Sequence, residues 1–151
     1  MNVLQMTSGH RETLIKLMDR LSVDQLNQVN TPFKNNIVWN CAHVIAIQQR
    51  LVYVLSGLRT HVGFEFVERY QMGTAPSHDL TETEITEIKL LLKESHQTVI
   101  SDFEANKFTN FIPYTTKIGV ELKSIEDAFA FNLYHEALHL GIILGQMKFL
   151  R

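Results

Sequence analysis

Residues 123–151 read KSIEDAFAFNLYHEALHLGIILGQMKFLR, and this stretch decides how the rest of the chain is interpreted. It is apolar nearly all round and predicts one long helix. Ser124, with Asp127 three residues later, is a capping signal, so we expect the helix to begin near Ser124. His135 and His139 lie four residues apart, and because successive side chains turn by about 100° around a helix axis, both imidazoles project from one face. Neutral imidazoles on adjacent turns can hold one metal ion, which raises the question of a third ligand.

The composition is that of an ordinary globular protein. The 151-residue chain is 45% hydrophobic and 20% charged, and we expect a single domain spanning residues 1–151. The formal net charge is -2, and the lysines and arginines are scattered. This distribution argues against nucleic acid as a partner, because phosphate binding needs a concentrated basic face.

Cysteine content and apolar runs bear on the compartment. Cys41 is the single cysteine, so it cannot form an internal disulfide. The first residues, from Met1 to Gln5, lack the basic segment and the apolar run of a signal peptide. The longest apolar runs are too short to span a bilayer. We therefore expect a cytoplasmic protein with no membrane partner.

Helical periodicity predicts three further helices upstream of residue 123. The first covers about residues 3–29 and is interrupted near residue 22, where Ser22 or Asp24 caps a last short turn. The second runs from about residue 36 to residue 55 or 56, and Gly57 is its C-terminal cap. The third runs from residue 79 or 81 to about residue 104. Its start is marked by a capping box, Thr81-Glu82-Thr83-Glu84.

Two long connections separate these helices. Residues 58–80 show no sustained helical period, and we expect a long crossover with one short helix at about residues 64–70. Residues 108–116 are rich in aromatic and β-branched residues, which predicts an extended segment with a turn at Gly119. Four helices of this length predict an all-α fold, a four-helix bundle with long crossover connections.

The third ligand must come from upstream of the last helix. The stretch from His135 to His139 matches the HExxH pattern of zinc proteases, in which the glutamate is the general base. Those enzymes take a further ligand from downstream, but no His, Asp, Glu or Cys follows His139 here. The best upstream candidate is His43 in the second helix. Trp39 and Ile47 flank it at about 40° on either side of the helical wheel, so its face is apolar and expected to point inward.

These residues together resemble a known family, the DinB-like (DinB/YfiT) superfamily. The resemblance rests on Trp39-Asn40-x-x-His43 in the second helix and on His135-x-x-x-His139 in the last. Two further similarities lie at the end of the first helix and after the last histidine: Leu21-Ser22-x-Asp24-Gln25-Leu26 and Gly141-x-x-x-Gly145-Gln146. The resemblance covers essentially the whole chain in length and helix order.

The resemblance implies a DinB/YfiT-like four-helix bundle with a long crossover, and a divalent metal, zinc or nickel, held by His43, His135 and His139. Homodimers are common in the family, and characterised relatives include thiol transferases that use low-molecular-weight thiols and a mycothiol-dependent isomerase. It therefore favours a metal-dependent thiol transferase acting on a small-molecule substrate. Two alternatives stay open: a metal-dependent hydrolase, and a non-catalytic bundle used for metal binding or dimerisation.

Several polar residues near the histidines are further candidates. Glu136 is a candidate base, although a solvated position on the helix face is the favoured interpretation. Asn40 and Gln146 are candidates for orienting ligands or water. Arg50 lies near the line of His43, where it would attract an anionic substrate group or, as we favour, reach solvent. The remaining histidines lie in polar or irregular surroundings and are assigned no function: His10, His61, His78 and His96.

The last helix carries more apolar surface than one bundle helix buries. Either residues 106–123 fold over it or a partner subunit covers it. We expect a homodimer.

Overall fold

Six α-helices and one short hairpin make up most of the chain in the computed structural model, which describes residues 2–151. The helices, in chain order, are α1 (Val3–Met18), α2 (Val23–Asn27), α3 (Ile37–Gln48), α4 (Phe64–Arg69), α5 (Glu82–Glu104) and α6 (Ile125–Met147). A π-helical segment, Gln49–Val54, continues α3, and the strands β1 (Tyr114–Thr115) and β2 (Glu121–Leu122) precede α6. The expectation of an all-α chain is therefore confirmed in its coarse form.

The helices begin where the sequence places side-chain caps. Ser22, Thr81 and Ser124 each accept a hydrogen bond from the backbone N–H three residues later, and that residue's side chain binds the cap backbone in return. Asn36 caps α3 by accepting from the Trp39 N–H. These caps satisfy backbone groups that a helix start leaves unpaired, which confirms the predicted starts.

The predicted ends are less accurate. α1 ends at Met18 and α2 at Asn27, and the predicted second helix divides into α3 and the π-helical segment. Gly57 has φ +71°, a left-handed conformation that suits glycine at the end of a helix.

The burial of α3 organises the packing. Every residue from Ile37 to Ala46 is at most 4% exposed, so this helix has no solvent face. α3 packs against α5 and α6, and α1 packs against the same two helices. The remaining sides of α3 are covered by α2 and by α4, which lies in the long crossover after the π-helical segment. The predicted crossover with a short helix near residue 64 is thus confirmed.

The connection before α6 forms an antiparallel hairpin. Tyr114 pairs with Leu122 and Thr115 pairs with Glu121, and the turn contains Gly119 at φ +84°. Leu122 is 1% exposed and packs in a cluster with the start of α6. The predicted turn at Gly119 is confirmed, and the extended segment predicted for residues 108–116 forms a strand only at Tyr114 and Thr115. β2 of the hairpin packs on part of α6. Across residues 2–151, no helix combines the length and apolar character needed to cross a membrane.

A buried ion pair links α1, α5 and α6. Arg11 is 1% exposed and Glu136 is 0% exposed, with Arg11 Nη2 2.7 Å from Glu136 Oε1. Arg11 Nη1 also donates to the Leu92 carbonyl at 3.1 Å and to Ser95 Oγ at 2.9 Å. Asn132 Nδ2 donates to Glu136 Oε1 at 2.8 Å. Each charge is thus both paired and hydrogen-bonded, as burial requires.

This ion pair corrects the expectation for Glu136. A solvated helix face was favoured, and that interpretation is wrong because α1 packs over this side of α6. Arg11 lies in the buried stripe of α1 with Thr7, Leu14 and Met18, so its charge needs a partner inside the protein.

We predict that Glu136→Gln lowers the free energy of unfolding by about 3–5 kcal/mol, because it leaves the buried guanidinium without a counter-charge. Urea denaturation at pH 7 measures the change. Glu12→Gln, on the exposed face of α1, is the matched control, with an expected change within about 0.5 kcal/mol.

The double variant Arg11→Met/Glu136→Met should recover part of the loss, since it removes both charges together. A Glu136→Gln protein as stable as the Glu12→Gln control would contradict this account of the pair.

Candidate metal centre

Three histidines from two helices meet where α3 packs on α6. His43 lies on α3, His135 and His139 lie on successive turns of α6, and their ligand nitrogens are all within 4.8 Å of one another. His135 Nε2 and His139 Nε2 are 3.2 Å apart. The structure thus brings together the three residues that the sequence singled out. No other such group of three His, Cys, Asp or Glu side chains occurs among the described residues.

The ring of His43 is fixed from both sides. Its Nδ1 lies within hydrogen-bond distance of the Tyr70 carbonyl oxygen, just after α4. A carbonyl oxygen only accepts, so Nδ1 carries the proton and Nε2 keeps its lone pair. Trp39 stacks on the imidazole with ring centroids 4.7 Å apart and an interplanar angle of 13°. Trp39 is therefore a packing residue that holds the orientation of His43.

A chain of amides fixes the ring of His139. Its Nδ1 is 2.8 Å from Asn40 Oδ1. Asn40 Nδ2 donates to the Asn36 carbonyl at 2.8 Å and to Gln146 Oε1 at 3.3 Å. Gln146 Nε2 in turn donates to the Asn35 carbonyl. Because both carbonyls only accept, the amide oxygen of Asn40 must face His139, and His139 keeps its lone pair on Nε2.

The donor set suits a divalent cation. His43 and His139 both present an unprotonated Nε2 to the cluster. His135 is therefore the only one of the three rings that can donate a proton inside it. Lone pairs that face one another without enough protons repel, whereas three neutral imidazoles are a common ligand set for zinc. His135 Nδ1 is buried and, within residues 2–151, has no hydrogen-bond partner.

Burial keeps these imidazoles neutral. Desolvation, followed by the neighbouring His43, lowers the pKa of His135 to about 4. Desolvation and the two other histidines lower the pKa of His139 to about 3, against a smaller opposing effect of Glu136. Desolvation also lowers the pKa of His43, although its hydrogen bond to Tyr70 acts in the other direction. All three are neutral at pH 7, the form that binds metals.

Glu136 does not serve this cluster as a base. Its carboxylate is engaged by Arg11 and Asn132, and its Oε2 lies 3.8 Å from His10 Nε2. Side chains at adjacent positions point about 100° apart around a helix, so Glu136 faces α1 while His135 faces α3. The HExxH pattern therefore contributes to two different sites. His135 and His139 belong to the histidine cluster, and Glu136 belongs to the ion pair with Arg11.

A cavity of about 400 Å³ lies beside the histidines. His135 lines it, together with apolar side chains from the π-helical segment, the hairpin and α6. Arg50 is exposed and lines it as well, which agrees with the sequence prediction that this side chain reaches solvent. The cavity gives small molecules access to His135, one of the three clustered histidines.

The remaining histidines lie outside the cluster. His96 was expected in polar surroundings, but it is 3% exposed, with Nδ1 3.0 Å from Gln48 Nε2 and Nε2 2.9 Å from the Leu4 carbonyl oxygen. The expectation for His96 was wrong because its position on α5 faces α3 and the start of α1. His61 lies 3.0 Å from Asp102, and His78 is exposed.

Some residues of the site escaped the sequence analysis. The Tyr70 carbonyl is a backbone group, so no side-chain pattern could have marked it. Lys117 lines the cavity from the hairpin turn and has no periodic signal. Arg11 did have a signal, since a charged residue inside the apolar stripe of α1 implies a buried partner.

Comparison with known proteins completes the description. No curated protein matches the chain. A family model described as the DinB superfamily matches residues 6–143, a range that contains all three clustered histidines, the whole of α3 and all but the last turn of α6. The resemblance seen in the sequence is confirmed, and the chain belongs to the DinB superfamily.

Proposed function

We propose that the protein is a divalent-metal-dependent enzyme in which His43, His135 and His139 bind one zinc or nickel ion. The observation that carries the proposal is the convergence of three neutral imidazoles, two of them with the metal-binding nitrogen left free by hydrogen bonds to oxygen. Three protein ligands leave a coordination position for a substrate or water. The cavity beside His135 provides the space for that substrate.

The favoured reaction is thiol transfer to a small molecule. A divalent metal bound at these nitrogens would supply Lewis acidity, and a thiol that coordinates such an ion loses its proton without a protein base. No carboxylate lines the cavity, and Glu136 is held by Arg11. Thiol transfer needs no carboxylate base, so it is compatible with this site, and the thiol transferases of the DinB-like superfamily favour it over hydrolysis.

The surrounding residues position the ligands. Tyr70 and Asn40 each hold the Nδ1–H of one imidazole, and Gln146 holds the amide of Asn40. Partners of this kind fix the tautomer and the direction of the ligand lone pair. Asn40 and Gln146 are thus positioning residues in this proposal.

The proposal extends to the architecture and assembly. The contacts of α1 and α3 with α5 and α6 support a single-domain four-helix bundle. The C-terminal part of α6 and the residues after it leave apolar side chains exposed: Ile142 at 38%, Leu144 at 46% and Phe149 at 50%. We propose that this end of α6 contributes the interface of a homodimer of a cytoplasmic protein.

Metal analysis of the untagged protein tests the site. We expect about one zinc or nickel ion per chain, lost in His43→Ala because two histidines alone bind weakly. His78→Ala, at an exposed histidine, is the control and should retain the ion. The loaded protein should also accelerate consumption of a low-molecular-weight thiol by an alkylating electrophile, and His43→Ala should not.

Metal-free protein that refuses added zinc and nickel would refute the enzyme proposal and leave a bundle used for binding. A loaded protein that hydrolyses esters but consumes no thiol would refute thiol transfer.

Replacing Asn40 tests the role of the positioning residues. We predict that Asn40→Ala weakens zinc binding by about 10- to 100-fold, because His139 loses the acceptor that fixes its tautomer. Competition with a chromophoric chelator measures the affinity. Asn40→Asp keeps an acceptor oxygen and should retain most of the affinity, whereas equal losses in both variants would argue for a purely structural role.

Light scattering over micromolar concentrations tests the homodimer. We expect twice the chain mass, with Ile142→Glu shifting the protein toward monomer because a charge in an apolar interface has no partner. Leu90→Glu makes the same change at a 52% exposed position on α5 and should leave the mass unchanged. A monomeric mass for the unaltered protein would contradict the assembly.

A further inference from the structure

The cavity beside His135 has mostly apolar walls contributed by several elements of the fold. Its lining includes Leu51 and Leu55 near the π-helical segment, Phe131 and Leu138 on α6, and Ile118 at the hairpin turn. Ile118 is 62% exposed and Leu138 is 50% exposed, so these apolar groups face solvent across the cavity. A volume of about 400 Å³ lies in the range of sites for small organic molecules.

The charged side chains that line the cavity are all cationic. Arg50 and Lys117 line the cavity, and no carboxylate does. Neither cation forms an ion pair with any residue of the described chain. Arg50 Nη1 donates to Gln71 Oε1 at 3.3 Å, and Gln71 donates in turn to the exposed Glu68, which lies outside the lining. An apolar cavity that carries two cations and no acid is complementary to an apolar molecule bearing a negative charge.

We propose that this cavity binds an organic carboxylate with an apolar body, and that this is the substrate class of the metal centre. The apolar body lies against Leu51, Leu55 and Phe131, and the carboxylate is held by Arg50 and Lys117. The assignment as substrate rests on the proposed function, because it is His135 that joins the cavity to the three-histidine cluster.

A second copy of the chain is a poorer occupant. A symmetric dimer presents the same surface from both subunits, so two copies meeting here would bring four like charges together. The exposed apolar side chains of the proposed dimer interface, Ile142, Leu144 and Phe149, are not among the residues that line this cavity.

Calorimetric titration with octanoate tests the proposal, using the metal-free and the zinc-loaded protein. We expect one octanoate per chain in both forms. Octanamide, which has the same body without the charge, should bind several-fold more weakly. Lengthening the ligand from hexanoate to octanoate should tighten binding by about three- to fourfold for each added methylene, as burial of apolar surface requires.

Variants of the charged lining residues separate recognition of the carboxylate from recognition of the apolar body. Arg50→Gln and Lys117→Gln should each weaken octanoate binding by about two- to fivefold without changing octanamide binding. Arg59→Gln, an exposed arginine outside the lining, is the control and should bind like the unaltered protein. Ile118→Asp should weaken octanoate binding more than Ile118→Asn does, since only the first adds a negative charge to the cavity.

Three results would overturn the inference. One is the absence of octanoate binding in a protein that holds its metal, which leaves the proposed function intact. Another is equal affinity for octanoate and octanamide. The third is octanoate binding that requires zinc and is unaffected by Arg50→Gln. This result would mean that the zinc ion, and not Arg50, binds the carboxylate. Octanoate binding with the predicted variant effects, in a protein that takes up no metal, would support the ligand class and refute the enzyme proposal.

Discussion

A helix without a solvent-exposed face needs other elements packed on every side, and α3 imposes that constraint on this protein. α5 and α6 cover part of α3, and α2 and α4 cover the rest. The same burial leaves the polar groups of Asn40 and His43 inside the core, where each must find a partner. The partners are the Asn36 and Tyr70 carbonyls and the side chains of Gln146 and His139. The hydrogen bonds that make α3 stable in the core are therefore the ones that orient the imidazoles.

The sequence was sufficient for those parts of the site that depend on local geometry. The spacing of His135 and His139 places them on one face, and the apolar surroundings of His43 turn it inward. Helix starts were predictable because a cap acts over three residues. The π-helical segment was not predictable, because it lies at the end of the predicted helix, where too few residues follow to show a shift in the hydrophobic period.

Interactions between distant residues were beyond the local pattern. Glu136 lies inside a motif that assigns it a catalytic role, yet its partner Arg11 is 125 residues away in the chain. The burial of Glu136 and its pairing with Arg11 follow from the packing of α1 against α6, which the local sequence pattern does not show. A short motif describes residues of one helix. Which residue neutralises the charge of Glu136 depends instead on which helix packs against that side of α6. Glu136 therefore illustrates how a familiar pattern can hold a structural ion pair on one side and part of a histidine cluster on the other.

The hairpin has a consequence for how this protein can diversify. Its strands are two residues long, most of its side chains are exposed, and Leu122 anchors it to the core. Short hairpins are marginally stable by themselves, so this wall of the cavity depends for its position on the packing of Leu122 against the start of α6. Exposed positions such as Lys117 and Ile118 also accept replacement at little cost in stability. Replacements in the hairpin can therefore reshape one wall of the cavity at little cost in stability, whereas replacements of the clustered histidines alter the packing between α3 and α6.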